Sequence, residues 1–281
     1  MLKYFSFLML ILSVIPVQAQ QDSIHLKLMT SNIRYANPDD GVNFWDNRKE
    51  WYAASIDFLD IDIFGAQEAL YSQVEDIKKS LNQYDFIGTG RDGGNAGEFS
   101  PIFYKKERFQ VLDSATFWLS PTPDRVASKG WDAALPRIVT WAKFKEKSSE
   151  KIFFFFNTHF DHMGVKAREE SARLILNKTK EIAADTPFFL TGDFNVPPSE
   201  NPYKIITQEL SDSALKAEKT YGPPYTFNGF QLEPDFNRDR IDYIFYKGNT
   251  ISIDEYQVLD AQRGALFISD HFPVIIDAIL K

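Results

Sequence analysis

The most constraining feature of this 281-residue chain is Phe153-Phe154-Phe155-Phe156, four aromatic side chains in a row with no polar interruption. Successive residues of an extended strand point to opposite faces, so a strand built from this run is apolar on both sides. Such a strand is kept from water only if it is covered above and below. Phe188-Phe189-Leu190 repeats the demand further along. Other strand-like runs stand at Ile24 to Met29, Ile61 to Phe64, Pro101 to Tyr104, Ile138 to Phe144, Ile152 to Phe156, Ile241 to Tyr246 and Phe272 to Leu280. Helices are expected from Asn47 to about Leu59, from the Ser72-Gln73-Val74-Glu75 capping pattern, from Val165 to Ala183, and from Pro202 to Leu210. Strands and a few helices around doubly covered sheets make an α/β (α+β) fold, with sheets packed face to face and helices outside. Two loops rich in turn residues, Gly88 to Ser100 and Ser120 to Pro136, are long enough to suggest function.

The N-terminus is expected to lie outside that fold. Lys3 precedes an uncharged stretch from Tyr4 to Ile15, then Pro16-Val17-Gln18-Ala19. This is a positive region, a short apolar region and a small residue suited to cleavage, the pattern of a secretory signal. The apolar run is short for a bilayer span and no later segment is longer, so no membrane span is expected. The reading is a signal peptide over residues 1–19, cleaved near Ala19, a single domain over 20–281, and a secreted or periplasmic product.

Composition excludes several chemistries. The chain has no Cys, which removes disulfides, a Cys-based zinc cluster and a Cys nucleophile. A formal charge of −8 argues against a stable duplex-binding surface, although it leaves nucleotides and single phosphate groups open. No G-x-S-x-G turn is present for a serine hydrolase.

The polar residues at the ends of the apolar runs are more specific. Leu28-Met29 leads to Thr30-Ser31-Asn32, and Ile63-Phe64 to Gly65-Ala66-Gln67-Glu68. The Phe run ends in Asn157-Thr158-His159-Phe160-Asp161-His162, and Phe188-Phe189-Leu190 in Thr191-Gly192-Asp193-Phe194-Asn195. Asp242 opens another run, and Phe267-Ile268 ends in Ser269-Asp270-His271. Strand ends are where a rigid scaffold presents chemistry, and three of the four His of the chain lie there. Any one of these residues taken alone reads as a turn or cap residue; six such ends in one chain read as a site.

Oxygen donors without Cys suit Mg²⁺ or Mn²⁺, with Ca²⁺ a third candidate. Glu68, Asn32 and Asp270 meet the sparse ligand demand of such an ion. A carboxylate inside an apolar strand needs a partner, and His271 is the natural one for Asp242. That pair and His159 can move or hold protons, while Asp193 and Asn195 can align an attacking water. The set suits hydrolysis of a phosphate ester.

In order, Ser31-Asn32, Gln67-Glu68, Asn157-Thr158-His159, Gly192-Asp193-Phe194-Asn195, Arg240-Ile241-Asp242-Tyr243 and Ser269-Asp270-His271 resemble the endonuclease/exonuclease/phosphatase superfamily, from about Leu26 to Leu280. The resemblance extends to a secreted bacterial branch that carries His-Phe-Asp-His. It implies a four-layer sandwich of two face-to-face, mainly antiparallel sheets flanked by helices. It also implies Glu68 as main metal ligand with Asn32 nearby, and Asp193 with Asn195 positioning water or phosphate. His271 with Asp242 would form a base-like dyad, His159 would contact phosphate or protonate the leaving group, and Asp270 would support the metal or His271. Arg34 stands where abasic-site endonucleases have an Asp, which weakens a DNA-repair reading. The expected activity is a secreted, metal-dependent phosphodiester or phosphomonoester hydrolase. Its substrate would be a short nucleic acid, nucleotide, or lipid or sugar phosphate, and the protein a monomer. The other reading is a catalytically silent binding protein on the same fold.

Overall fold

The structure is a computed structural model that describes residues 23–233 and 238–281. The expected export segment, residues 1–19, lies outside them. The strands are β1 (Ile24–Asn32), β2 (Ile63–Gln67), β3 (Tyr84–Ile87), β4 (Ile102–Lys105), β5 (Phe109–Trp118), β6 (Ile138–Glu146), β7 (Ile152–His159), β8 (Phe188–Asp193), β9 (Ser211–Asp212), β10 (Lys219–Tyr221), β11 (Asp242–Lys247), β12 (Ile251–Val258), β13 (Gln262–Arg263), β14 (Leu266–Phe267) and β15 (Val274–Leu280). The α-helices are α1 (Trp45–Phe58), α2 (Tyr71–Ser80), α3 (Val165–Ala183), α4 (Asn201–Thr207) and the short α5 (Ser213–Lys216).

Two large sheets form, in the orders β10-β12-β15-β1-β2-β4-β3 and β5-β6-β7-β8-β11-β9. Each has a central parallel pair, β1 with β2 and β7 with β8, and those pairs are flanked by antiparallel neighbours. A parallel pair needs a crossover, and α1 and α3 supply them. The sheets face each other through Leu28, Ile63, Phe153, Phe155, Phe189 and Ile244. Phe154 and Phe156 point the other way and pack with Ala172 and Ile175 of α3. The outer face of the first sheet, with Phe64 and Phe103, is covered by Tyr52 and Ile56 of α1 and by Val74 and Ile77 of α2. The four Phe rings are thus divided between two cores, and the fold is the mixed α/β sandwich that such a run requires.

Helix α1 begins at Trp45, two residues earlier than expected. Asn47, the expected cap, instead donates to the carbonyls of Gly41 at 3.4 Å and Val42 at 3.1 Å. Helix α2 is capped by Gln73, whose Oε1 accepts from Leu70 N at 3.1 Å. The same oxygen accepts from Ala36 N at 2.9 Å, so the cap also fixes the loop after β1.

Candidate active site

The strand registers bring the expected residues to one edge of the sandwich. His159 pairs with Asp193 across β7 and β8, and Asp193 with Asp242 across β8 and β11. In the first sheet Asn32 pairs with Gln67, and Glu68 follows directly. Strands β11 and β15 run antiparallel to their neighbours, so their beginnings, near Asp242 and after His271, reach this same edge. Close backbone approach is required here. A Cβ on Gly192 would lie 2.3 Å from Thr158 O, and one on Gly65 would lie 2.3 Å from Asn157 Oδ1. Asn157 itself is structural: it donates to Ala66 O at 2.7 Å and Pro101 O at 2.9 Å, and accepts from Gln67 Nε2 at 2.6 Å. These bonds join the two sheets beneath the site.

Asn32 makes a second junction. Its amide nitrogen donates to Glu68 Oε1 at 3.1 Å and to Asp193 Oδ2 at 3.0 Å, spanning the two sheets. Its oxygen accepts from Arg34 N at 3.0 Å. Glu68 Oε2 accepts from Tyr35 N at 3.2 Å. Asp270 accepts from Ser269 Oγ at 3.2 Å, and that hydroxyl also lies 2.7 Å from Asn32 O. The Arg34 guanidinium stands 4.0 Å from Glu68 and 3.8 Å from Asp270, while binding Asp40 with two nitrogens. Arg48 is fully buried and holds this corner by donating to the carbonyls of Asn43, Ile33, Ile268 and Arg34. Arg34, Glu68 and Asn195 all have left-handed backbones, with φ of 57°, 60° and 52°. Strain of that kind concentrates at functional sites.

The two imidazoles are shifted in opposite directions. His271 Nδ1 lies 2.9 Å from Asp242 Oδ2, so the expected pair exists. Burial opposes the charged ring, but Asp242 and Asp193 together hold its pKa well above the ordinary value. His159 is driven well below the ordinary value by burial and by Arg137, which favours the neutral ring. Asn195 Nδ2 donates to His159 Nε2 at 3.1 Å and to Phe160 O at 3.0 Å. Asp193 Oδ2 is 3.5 Å from His159 Nε2 and 3.8 Å from His271 Nε2, at the centre of the group. Burial and the nearby Asp242 charge push Asp193 up to about 7. Burial likewise raises Asp270.

All eight expected residues therefore meet in one region, and six of them line a cleft of about 520 Å³; Asn32 and Asp242 stand behind it. Asp193, Asp242 and His271 offer donor atoms within 4.8 Å of one another, close enough for a metal. Their direct His–Asp hydrogen bond is, however, the arrangement of an oriented imidazole. Glu68, Asn32 and Asp270 supply the oxygen donors that a hard cation takes.

The cleft also contains Tyr35, Glu98, Arg137 and Phe227, which the sequence had not singled out. Glu98 ends the first long loop and Arg137 follows the second, so loop length was the available signal. Phe227 packs edge-on to His271 with ring centres 5.0 Å apart. Of the loop aromatics with the chemistry to stack on a ligand, Phe99 and Trp118 are buried, and Trp131 does not line the cleft. Asp161 is structural: it accepts from the backbone of Ala134, Leu135, Met163 and Gly164, tying the second long loop to the start of α3. His162 lines the cleft and lies 3.1 Å from Arg137 Nη2.

A sandwich whose facing sheets end in carboxylates, carboxamides and two unlike imidazoles defines a phosphoesterase of the hydrolase class. The sequence pattern of the endonuclease/exonuclease/phosphatase family matches residues 14–271, and the chain belongs to that family. A solved family member from Bacteroides vulgatus is 42% identical, with a TM-score of 0.89 over 92% of this chain and 100% of its own. A mannosyl-6-phosphatase of Bacteroides thetaiotaomicron is 41% identical, with a TM-score of 0.84 over 90% of this chain and 99% of its own. An uncharacterised protein of Acanthamoeba polyphaga mimivirus is 28% identical over 257 residues, 83% of this chain and 91% of its own length.

Proposed function

We propose that the protein is a divalent-metal-dependent phosphatase acting on the phosphate monoester of a small sugar. The observation that carries the hydrolytic part is the junction at Asp193, which places Asn32, His159 and His271 around one carboxylate. Support for the substrate class comes from the cleft volume of about 520 Å³, suited to a small molecule, and from the similarity to a mannosyl-6-phosphatase.

Glu68, Asn32 and Asp270 would hold Mg²⁺ or Mn²⁺, which when bound supplies Lewis-acid polarisation of the phosphoryl oxygens. The chain's own groups do the rest. Asp193 and Asn195 orient the attacking water opposite the leaving alcohol. His271, held by Asp242 on Nδ1, turns its Nε2–H toward the phosphoryl group and balances charge there. His159, neutral and fixed by Asn195, contacts phosphate or exchanges a proton with the leaving oxygen. No covalent nucleophile is needed. Export rests on the N-terminal pattern alone, and N-terminal sequencing of protein expressed from the full gene tests it: mature chains should begin near Gln20.

The substrate test is phosphate release from a panel of hexose phosphates, nucleotides and phosphodiesters with Mg²⁺ or Mn²⁺. The reading expects a hexose 6-phosphate to exceed any diester by about a hundredfold in kcat/KM, or roughly 2.7 kcal/mol. A preference for diesters would overturn it. Asp193→Asn should abolish turnover in a protein that still folds.

A further inference from the structure

The His159 side of the cleft carries further charged and polar side chains. Glu98, Arg137 and His162 line it beside Leu135. Arg137 is 5% exposed, yet its guanidinium stands away from its anions, 3.6 Å from Asp161 and 3.9 Å from Glu98. Asp161 is already occupied by four backbone N–H groups. Arg137 Nε and His159 Nδ1 have no hydrogen-bond partner among the described residues. His159 Nδ1 lies 4.0 Å from Glu98 Oε2, an oxygen that is also 2.7 Å from Arg91 Nη1. One carboxylate thus faces a guanidinium and an imidazole across gaps too long for direct hydrogen bonds.

Buried donors are rarely left unpaired; these two border a void of about 10 Å³, and Glu98, Arg137 and His159, which line it, line the cleft as well. The charges decide which ligand. Arg91 and Arg137 are balanced by Glu98 and Asp161, so no surplus positive charge awaits a second anion. Fixed donors beside a fixed acceptor instead match a hydroxyl group, which accepts from one and donates to the other. Adjacent hydroxyls on a sugar ring present that combination repeatedly.

We propose that Glu98, Arg137 and His162 form a polyol subsite that reads the hydroxyls of the substrate's alcohol portion. Glu98 accepts from a sugar hydroxyl, Arg137 donates to the same or the neighbouring oxygen, and His162 closes the outer side. The subsite rests on the phosphatase reading and explains why a sugar ester would be chosen over a nucleoside or aryl ester.

The experiment compares kcat/KM for a hexose 6-phosphate and for p-nitrophenyl phosphate, in the wild-type protein and in Glu98→Gln, Arg137→Met and His162→Ala. The ratio of hexose to aryl ester should fall at least tenfold in Glu98→Gln and in Arg137→Met, mainly through KM for the hexose ester. In His162→Ala, whose altered side chain is exposed, it should fall severalfold. Inhibition by free hexose should weaken in parallel. If both esters decline together, these residues serve phosphate or the fold, and the subsite is refuted. A constant ratio in Glu98→Gln and His162→Ala refutes it too, even if Arg137→Met does not fold. So does a wild-type preference for nucleotides that depends on the same residues. A wild-type protein that cleaves neither ester fails at the phosphatase reading instead, and the two failures are distinguishable.

Discussion

Two buried carboxamides organise this site from different depths. Asn32 links Glu68 to Asp193 just behind the cleft wall, while Asn157 joins the sheets deeper down. Replacing Asn157 with Ala removes a partner from Ala66 O, Pro101 O and the Gln67 amide, although Pro101 O keeps Ala66 N and the amide keeps Thr30 Oγ1 and Gly65 O. A loss of about 1–3 kcal/mol is therefore expected in urea unfolding, and one below about 0.5 kcal/mol would contradict the junction. Asp161 makes a pH prediction. Burial would raise its pKa, but four backbone N–H groups hold it at about 2. A depressed carboxylate contributes stability that is present above its unfolded value near 3.8 and is lost as pH falls toward 2. Asp161→Asn should therefore cost stability at neutral pH and flatten this acid limb, as thermal unfolding across that window would show. An acid limb as steep as in the wild type would place the titration elsewhere. The residue chemistry was readable because the motifs carry polar groups in strand-end positions that packing alone would not choose. Glu98 and Arg137 were not readable, because they come from irregular loops whose course the sequence does not show.

The elements follow from where alternation is intact. Strands β7 and β8 were evident from their apolar runs, yet both continue through the motif, so His159 and Asp193 belong to the ladder itself. Strands β5 and β12 were missed for a physical reason. Each has a register shift, between Val111 and Asp113 in one and between Ile253 and Glu255 in the other. In β12 the bulge moves the later buried residues to the other parity, and in β5 the exposed stretch from Leu112 to Ala115 interrupts the pattern, so neither strand shows one continuous two-residue period. Strand β3, four residues long at the sheet edge, offers too short a pattern. The close β7–β8 pairing yields a further prediction. Gly192→Ala forces a methyl group against Thr158 O and should cost about 1–3 kcal/mol or more, with turnover falling because Asp193 moves. An alanine variant with wild-type melting temperature and rate would show that the strands separate easily here.

At the scale of the whole molecule, two β-α-β crossovers aim four parallel strand ends at one edge, and the facing sheets make that edge a cleft. The −8 charge of the chain is general, but inside the cleft negative groups are concentrated beside Arg34, Arg137 and His271. This pattern favours a small phosphate ester with a cation over a long polyanion. The layered fold was legible because doubly apolar strands leave few alternatives. The size of the cleft was not, because it depends on how two long loops lie across the sheet ends. On the proposed function, Glu68, Asn32 and Asp270 hold a metal that the His and Asp groups need for phosphate-ester hydrolysis. Phosphate release from a hexose 6-phosphate, measured after chelation and again after adding back Mg²⁺ or Mn²⁺, tests it most directly. Release should stop with chelator, return with the metal, and stay lost in Glu68→Gln. Undiminished release in chelator, or full recovery in Glu68→Gln, would contradict it.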